Sequence, residues 1–313
     1  MIQPTDNQST DVTTDDIVHK EVEGQPLDER NKKFNTVKFM HIGAAIFFLI
    51  QTIAYAAVDA NITITPTVGF PTYCNELFEK CPGAFDSKPS QKNLKPTNPI
   101  WTIPLFTALA SFDHFVSFFF CIRYADYTRM WLFDIQSNPL RWLEYCISAS
   151  FMALAISILC GISDVHIWFL IFFGHFVGIL LGLLIELLPD DKPYDEAAGL
   201  TSTAEIQQLR GLSFLAMKKL LFSLSCFSIF IPWMVMICYF LTSVSQGDGV
   251  PDFVYIAFFG TLVLFTTFAI NTFLNKILKR YDFATAEIIF ISLSFTAKTF
   301  LAADVFGGLR ANE

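Results

Sequence analysis

Charge is what this chain has least of. Of its 313 residues only 16% are charged and 53% are hydrophobic, with a mean hydropathy of +0.47. That balance excludes an ordinary soluble enzyme and fits a polytopic membrane protein. Several chemical signatures are missing too. There is no CxxC pair, no HExxH, no P-loop and no glycine-rich dinucleotide fingerprint, so an enzyme reading has no support in the sequence. The formal net charge of −8 comes partly from an acidic N-terminal stretch and implies no nucleic-acid partner. No signal peptide is expected ahead of the first apolar run.

What the chain does have is seven long apolar runs, near residues 36–58, 98–121, 141–162, 165–189, 217–242, 252–275 and 284–307. Each is long enough to cross a hydrocarbon core of ~30 Å. Seven runs in about 270 residues leave no room for a second domain. The first 33 residues are rich in Asp, Glu, Thr and Gln and nearly lack aromatics, which predicts a disordered acidic tail ahead of an all-α unit over 34–310. Lysine and arginine set the orientation. Counting loops and helix ends, fifteen lie on the N-terminal side, among them Arg123, Arg129, Arg141, Lys218 and Lys276. Five lie on the other: Lys80, Lys88, Lys92, Lys95 and Arg310. The positive-inside rule then puts the N-terminus in the cytoplasm and the C-terminus outside.

The first outer loop, 59–97, is long. Its start, Asn61-Ile-Thr-Ile-Thr-Pro, alternates as a short strand would, and Asn61-Ile62-Thr63 is a glycosylation sequon. Cys74 and Cys81 share this loop, where an oxidising compartment would allow a disulfide; geometry leaves the pairing open. Cys121, Cys146, Cys160, Cys226 and Cys238 lie in spans and read as packing residues.

Polar groups inside the spans carry the chemistry. Lys298 sits near the middle of the seventh run, where a lysine costs at least ~2.5 kcal/mol. It should have a partner or a chemical job. An amine in an apolar place can stay unprotonated and condense with an aldehyde; on the seventh of seven helices that aldehyde is expected to be retinal. At 100° per residue, Glu287, Ser294 and Lys298 share one stripe, whereas Asp304 falls on another face. On the third run Arg141, Glu144, Tyr145, Ser148 and Met152 line one arc. Glu144 would balance a charged imine at Lys298, since an opposite charge favours the charged form; the bland alternative is an interfacial glutamate paired with Arg141. On the fourth run His175, Gly178, Gly182 and Glu186 share a face, read either as a groove for a ligand or as small-residue packing, with Glu186 free to snorkel. Asp113 and His114 lie mid-way along the second run, more ionisable groups than chance places there. The fifth carries Pro232-Trp233, and the sixth carries Phe258, Phe265, Phe268 and Thr272 at helical spacing.

Together these residues resemble the heliorhodopsins, a retinal-binding family distinct from the proton-pumping microbial rhodopsins. The string Asn138-Pro139…Arg141-Trp142…Glu144-Tyr145…Ser148-Ala149-Ser150…Met152 looks like that family's counterion helix. The pattern Glu287…Leu293-Ser294…Ala297-Lys298…Leu301-Ala302…Val305-Phe306 looks like its retinal-lysine helix. Pro232-Trp233 and Phe268-Ala269-Ile270-Asn271 resemble motifs of its fifth and sixth helices, so the likeness covers roughly residues 36–310. The inverted orientation is a family trait as well. The resemblance implies a rhodopsin-like seven-helix bundle in a lipid bilayer and a homodimer. All-trans retinal would sit on Lys298 as a protonated Schiff base, with Glu144 as counterion and Ser294 beside it. Met152, Trp233 and Phe265 would line the polyene; Gln51, Ser148, Gly182 and Tyr145 are further pocket candidates, and His114 fits the second-helix histidine. There are departures. Phe48 stands where the family has a first-helix histidine, which would weaken its two-histidine proton-accepting cluster. His175 replaces an asparagine, Thr272 a glutamine and Ala303 a tryptophan.

Two functions are expected from this. The first is a light sensor in which isomerisation drives Schiff-base deprotonation and helix shifts signal to an unknown partner. The second is a light-gated proton conductance using Asp113, His114, His175 or Glu186 as relay groups, with Arg141 and Glu287 nearby. A segment that resembles a pump counterion helix, Arg123-Tyr-Ala-Asp126-Tyr127, is followed by polar residues and reads as a connecting loop.

Overall fold

The computed structural model describes residues 26–57, 64–72, 88–96, 98, 101–189, 213–246 and 250–311. The acidic stretch 1–25, Asn61, Cys74 and Cys81 lie outside the described residues, and with them the sequon and the disulfide expectation. Seven long helices run through the described residues: α1 Leu27–Ala56, α2 Thr102–Arg123, α3 Pro139–Leu159, α4 Val165–Leu187, α5 Phe214–Gln246, α6 Asp252–Thr272 and α7 Phe283–Ala311. All seven are long and apolar enough to cross a membrane. They follow the predicted runs with one correction. Helix α1 begins at Leu27, inside the segment read as tail. Asp28 and Glu29 in its first turn suit the positive end of the helix dipole, and Glu29 pairs with Lys33 at 3.0 Å one turn on.

Neighbouring helices pack in chain order and α7 closes the ring on α1. Between α5 and α6 much of the contact is made by rings: Phe240 stacks on Phe258 at 4.8 Å, and Trp233 meets Phe258 edge-on at 5.5 Å. Helix α3 is the most enclosed, with 67% of its apolar window buried. A polar residue on α3 therefore faces protein rather than lipid. Its start is written locally: Asn138 caps it by accepting from the Arg141 amide, and Pro139 occupies the first turn, where a missing N–H costs nothing. Helices α4 and α5 approach closely because α4 offers glycines. A Cβ on Gly174 would lie 2.5 Å from Pro232 Cγ, and one on Gly178 would lie 2.5 Å from Ile229 Cγ1. The hydroxyls of Ser228 and Ser225 donate across this seam to the carbonyls of Gly174 and Gly178. Gly178 thus serves packing, the plainer of its two readings.

The connections are ordered at both ends. Ala125–Arg129 is a short helix continued by a π-helical turn, Met130–Ile135, which ends at Gln136 in the left-handed region (φ 57°). This is a connecting segment, as its polarity predicted. It is held by Arg30 to Asp134 (3.2 Å) and by Lys276 Nζ to the Gln136 carbonyl (2.6 Å). At the opposite end β1 (Thr67–Thr72) and β2 (Lys88–Asn93) form an antiparallel hairpin, with Thr67 facing Asn93 and Thr72 facing Lys88. The described strand thus starts at Thr67, beyond the alternating stretch over 61–66. Asp164 ties the hairpin to the bundle. Its carboxylate caps α4 through the His166 amide (2.7 Å) and also accepts from the Gly69 amide of β1 (3.0 Å). Burial would raise its pKa, but backbone hydrogen bonds from His166, Gly69 and Ile167 outweigh that and hold it below the usual carboxylate value.

Candidate functional site

Lys298 and Glu144 meet inside the bundle. Lys298 Nζ lies 2.7 Å from Glu144 Oε1, and the two residues are only 3% and 8% exposed. The lysine, half-way along α7, reaches across to the first turns of α3. A pair buried this deeply is held by mutual need, because removing either partner strands a charge at a cost of about 3–5 kcal/mol. The rings of Tyr145 and Phe48 lie 5.2 and 5.9 Å from the ammonium.

Lys298 also opens onto a cavity of about 400 Å³ between α3, α4, α5, α6 and α7, a size that suits a cofactor. Tyr145, Ser148 and Met152 come from α3, Gly182 and His175 from α4, Trp233 from α5, Phe265 from α6, and Ser294 from α7. Apart from His175, these lining residues and Lys298 are all among the ten expected to hold a chromophore. Glu144 stands behind the lysine, and Gln51 is buried on α1 outside the cavity wall. The glycine at 182 has a plain reason. A Cβ there would lie 2.3 Å from the Trp142 ring, which lines the same cavity. The fit to retinal rests on the donor set and the lining: a lysine amine with its own carboxylate, at the edge of an apolar space walled by aromatic rings.

Arg141 organises a second cluster. Its Nη2 donates to Glu186 Oε1 at 2.6 Å and its Nη1 to Glu287 Oε2. Glu186 also accepts from Trp142 Nε1 (2.6 Å) and the Asn138 amide (3.0 Å), and Glu287 from Asn138 Nδ2 (2.7 Å). Three points left open by the sequence are decided here. Arg141 does not pair with Glu144. Glu186 does not snorkel, because its side chain is 1% exposed and fully engaged. Glu287, though on the same stripe as Lys298, belongs to Arg141: eleven residues of helix separate the two by about 16 Å along the axis. The guanidinium lies 4.1 Å from the ring centre of Phe290, which lines the cavity. One positive group thus joins α3, α4 and α7 next to the cavity floor.

A third group lies on the α1–α2 side. His41 Nδ1 and His114 Nδ1 are 2.9 Å apart, so in this contact one nitrogen carries the hydrogen and the other accepts it. Phe48 stacks on His114 at 5.8 Å and 6°. The expectation that Phe48 weakens a two-histidine cluster is therefore corrected. His41, which sequence reasoning passed over, supplies the second ring from two turns away on the same helix face. The seven-residue spacing from Phe48 was the available signal. Asp113 is buried beside His114, its Oδ2 3.8 Å from the imidazole and too long for a hydrogen bond. It lies within electrostatic range of Glu144 and Lys298. The remaining ionisable groups stand apart. His175 is enclosed by Trp233 and Phe265, with ring centres at 6.3 and 6.0 Å. Asp304 Oδ2 has no hydrogen-bond partner among the described residues.

A sequence-family model described as Heliorhodopsin matches residues 37–309. No curated protein matches the chain. Among solved structures, one similar fold is cyanorhodopsin (CyR) N4075R from the cyanobacterium Tolypothrix sp. NIES-4075. It is 12% identical with a TM-score of 0.51, over 90% of this chain and 94% of that one. Another is a light-driven proton pump, LR (Mac), from Leptosphaeria maculans, 14% identical with a TM-score of 0.51 over 89% and 97%. At such identities the likeness concerns the fold alone.

Proposed function

This chain belongs to the heliorhodopsins, retinal-based light-responsive membrane proteins, and on that premise we propose that it is a light sensor carrying all-trans retinal on Lys298 with Glu144 as counterion. The observation that carries the reading is the buried 2.7 Å contact between Lys298 Nζ and Glu144 Oε1 at the edge of the aromatic cavity. Bound through an imine, retinal would supply the absorption of visible light and a change of shape on isomerisation. The chain's residues do the rest. Glu144 holds a positive charge at the Lys298 nitrogen and is its nearest base. Trp233, Phe265 and Met152 exclude water from the cavity, and Gly182 lets the Trp142 ring form its floor. A proton displaced from the Lys298 region would pass to the α1–α2 side, where the His114–His41 pair and Asp113 stand in the electrostatic field of Lys298.

The sensor reading draws on what lies toward the hairpin end. There the core is mainly apolar, with Ile103, Phe106, Ile156, Leu301 and Val305 packed together, and the buried Thr102, Thr107 and Ser157 beside them carry hydroxyls rather than carboxyl or imidazole groups. A proton that leaves Lys298 and returns by the same side suits a sensor with its N-terminus in the cytoplasm, as the distribution of lysine and arginine favours. The output would be a shift of α3, α4 and α7 passed to a partner or across a homodimer. The second reading is a light-gated proton conductance, and Asp113 buried beside His114 favours it, because a titratable chain needs only an outer exit. Two measurements test the proposal. Protein regenerated with all-trans retinal should show a visible band that Lys298→Ala abolishes. Whole-cell recording should show no photocurrent; a current that reverses with pH and voltage would establish the second reading.

A further inference from the structure

His175 has a nitrogen that nothing described in the chain uses. The residue is fully buried on α4, across the ring of helices from α7, and lines the cavity with Trp233 and Phe265. Its Nδ1 lies 3.0 Å from the Ile171 carbonyl. A carbonyl only accepts, so Nδ1 carries the hydrogen, and the neutral ring presents Nε2 as a bare acceptor. Among the described residues Nε2 has no hydrogen-bond partner. Both aromatic neighbours meet the imidazole edge-on; Trp233 carries an indole N–H but makes no hydrogen bond to Nε2, and neither Phe265 nor the surrounding Ile179, Ile229 and Met152 has a donor to give. A buried acceptor left without a donor is costly, and such groups in folded proteins are nearly always satisfied by something.

Unmodified retinal bound at Lys298 cannot satisfy it. Its only hydrogen-bonding group is consumed at the lysine, and the rest is hydrocarbon. Resting on the retinal reading above, we infer that the chromophore this cavity selects is a retinal hydroxylated on its ring, whose O–H donates to His175 Nε2. His175 on α4 lines the same cavity as Lys298 on α7, together with Trp233 of α5 and Phe265 of α6, and its free nitrogen is an acceptor rather than a donor, so a ring anchored through Lys298 would meet it there. The site would thus reject a ring ether, which lacks the hydrogen, and would gain little from a plain hydrocarbon ring.

The test is competitive regeneration of the retinal-free full-length protein with three aldehydes: all-trans retinal, its ring-hydroxylated form and the ring-methoxylated analogue. The hydroxylated aldehyde should be taken up over each of the others by roughly tenfold, the ratio a single satisfied buried hydrogen bond gives. His175→Phe should erase that preference, and His175→Asn, which keeps an acceptor, should retain part of it. Equal uptake of hydroxylated and unmodified retinal by the unaltered protein would mean that water serves Nε2 and would overturn this inference alone. Equal uptake of the ether and the alcohol would overturn it too. A failure of every aldehyde to form a band would instead remove the Lys298 reading, and this inference with it.

Discussion

Replacing Glu144 by Gln keeps the shape of the site and removes its negative charge. With less to hold positive charge at the nitrogen end, the charge spreads along the polyene, so Glu144→Gln is expected to move the visible band to the red; an unchanged spectrum would rule out Glu144 as counterion. His41 and His114 touch through one pair of nitrogens, so His41→Ala and His114→Ala should slow or speed decay of the light-induced state in the same sense, with the double variant no worse than the stronger single one. Additive effects in flash photolysis would mean that the two rings act separately. Helical phase put Glu144, Tyr145, Ser148 and Met152 on one arc of α3 and Ser294 on the stripe of Lys298, whereas Trp233 and Phe265 were expected only from the resemblance to the heliorhodopsins. The sequence did not show the partners of Arg141. Phase gives direction around a helix, whereas partnership depends on depth along it, and Glu287 shares the direction of Lys298 but not its depth.

The contacts between elements make their own predictions. Gly174→Ala would drive a methyl group to within 2.5 Å of Pro232, and overpacking of that kind costs about 1–3 kcal/mol. Gly43→Ala meets nothing within 4 Å and should leave stability unchanged. Thermal denaturation in detergent separates the two, and equal melting temperatures would contradict the α4–α5 packing described above. At the start of α7, Asp282 accepts from Lys33 Nζ (2.9 Å), from the Thr285 amide (3.1 Å) and from the Thr285 hydroxyl (2.7 Å). Burial pushes its pKa up, but these hydrogen bonds and the Lys33 charge outweigh that and leave it below the usual carboxylate value. A lowered pKa means that the contact stabilises the fold above the usual carboxylate range, about pH 4, and is lost as pH falls through the lower folded value. Protection of the Thr285 amide from hydrogen exchange should therefore fall below about pH 4, and Asp282→Asn should flatten that dependence. The seven spans were legible because a bilayer demands long uncharged runs. A short strand in the first outer loop was expected too, but its position and its tie to the bundle were not legible, since Asp164 reaches back from α4 to Gly69, a contact 95 residues apart.

For the molecule as a whole, the Arg141 cluster is where a change in the cavity would reach the outside. It joins α3, α4 and α7 and shares Trp142 and Phe290 with the cavity wall. Arg141→Met would leave Glu186 and Glu287 buried without their cation and should cost about 3–5 kcal/mol, read as earlier thermal loss of the visible band. An unchanged melting temperature would mean that the cluster does not hold the bundle together. All of this depends on the chromophore being where the geometry places it. The most direct measurement is to regenerate the protein with all-trans retinal, reduce it with borohydride and locate the added mass by peptide mass spectrometry. The account predicts a retinyl group on Lys298 and none in Lys298→Ala; a retinyl group on another lysine, or a visible band that survives the loss of Lys298, would contradict it.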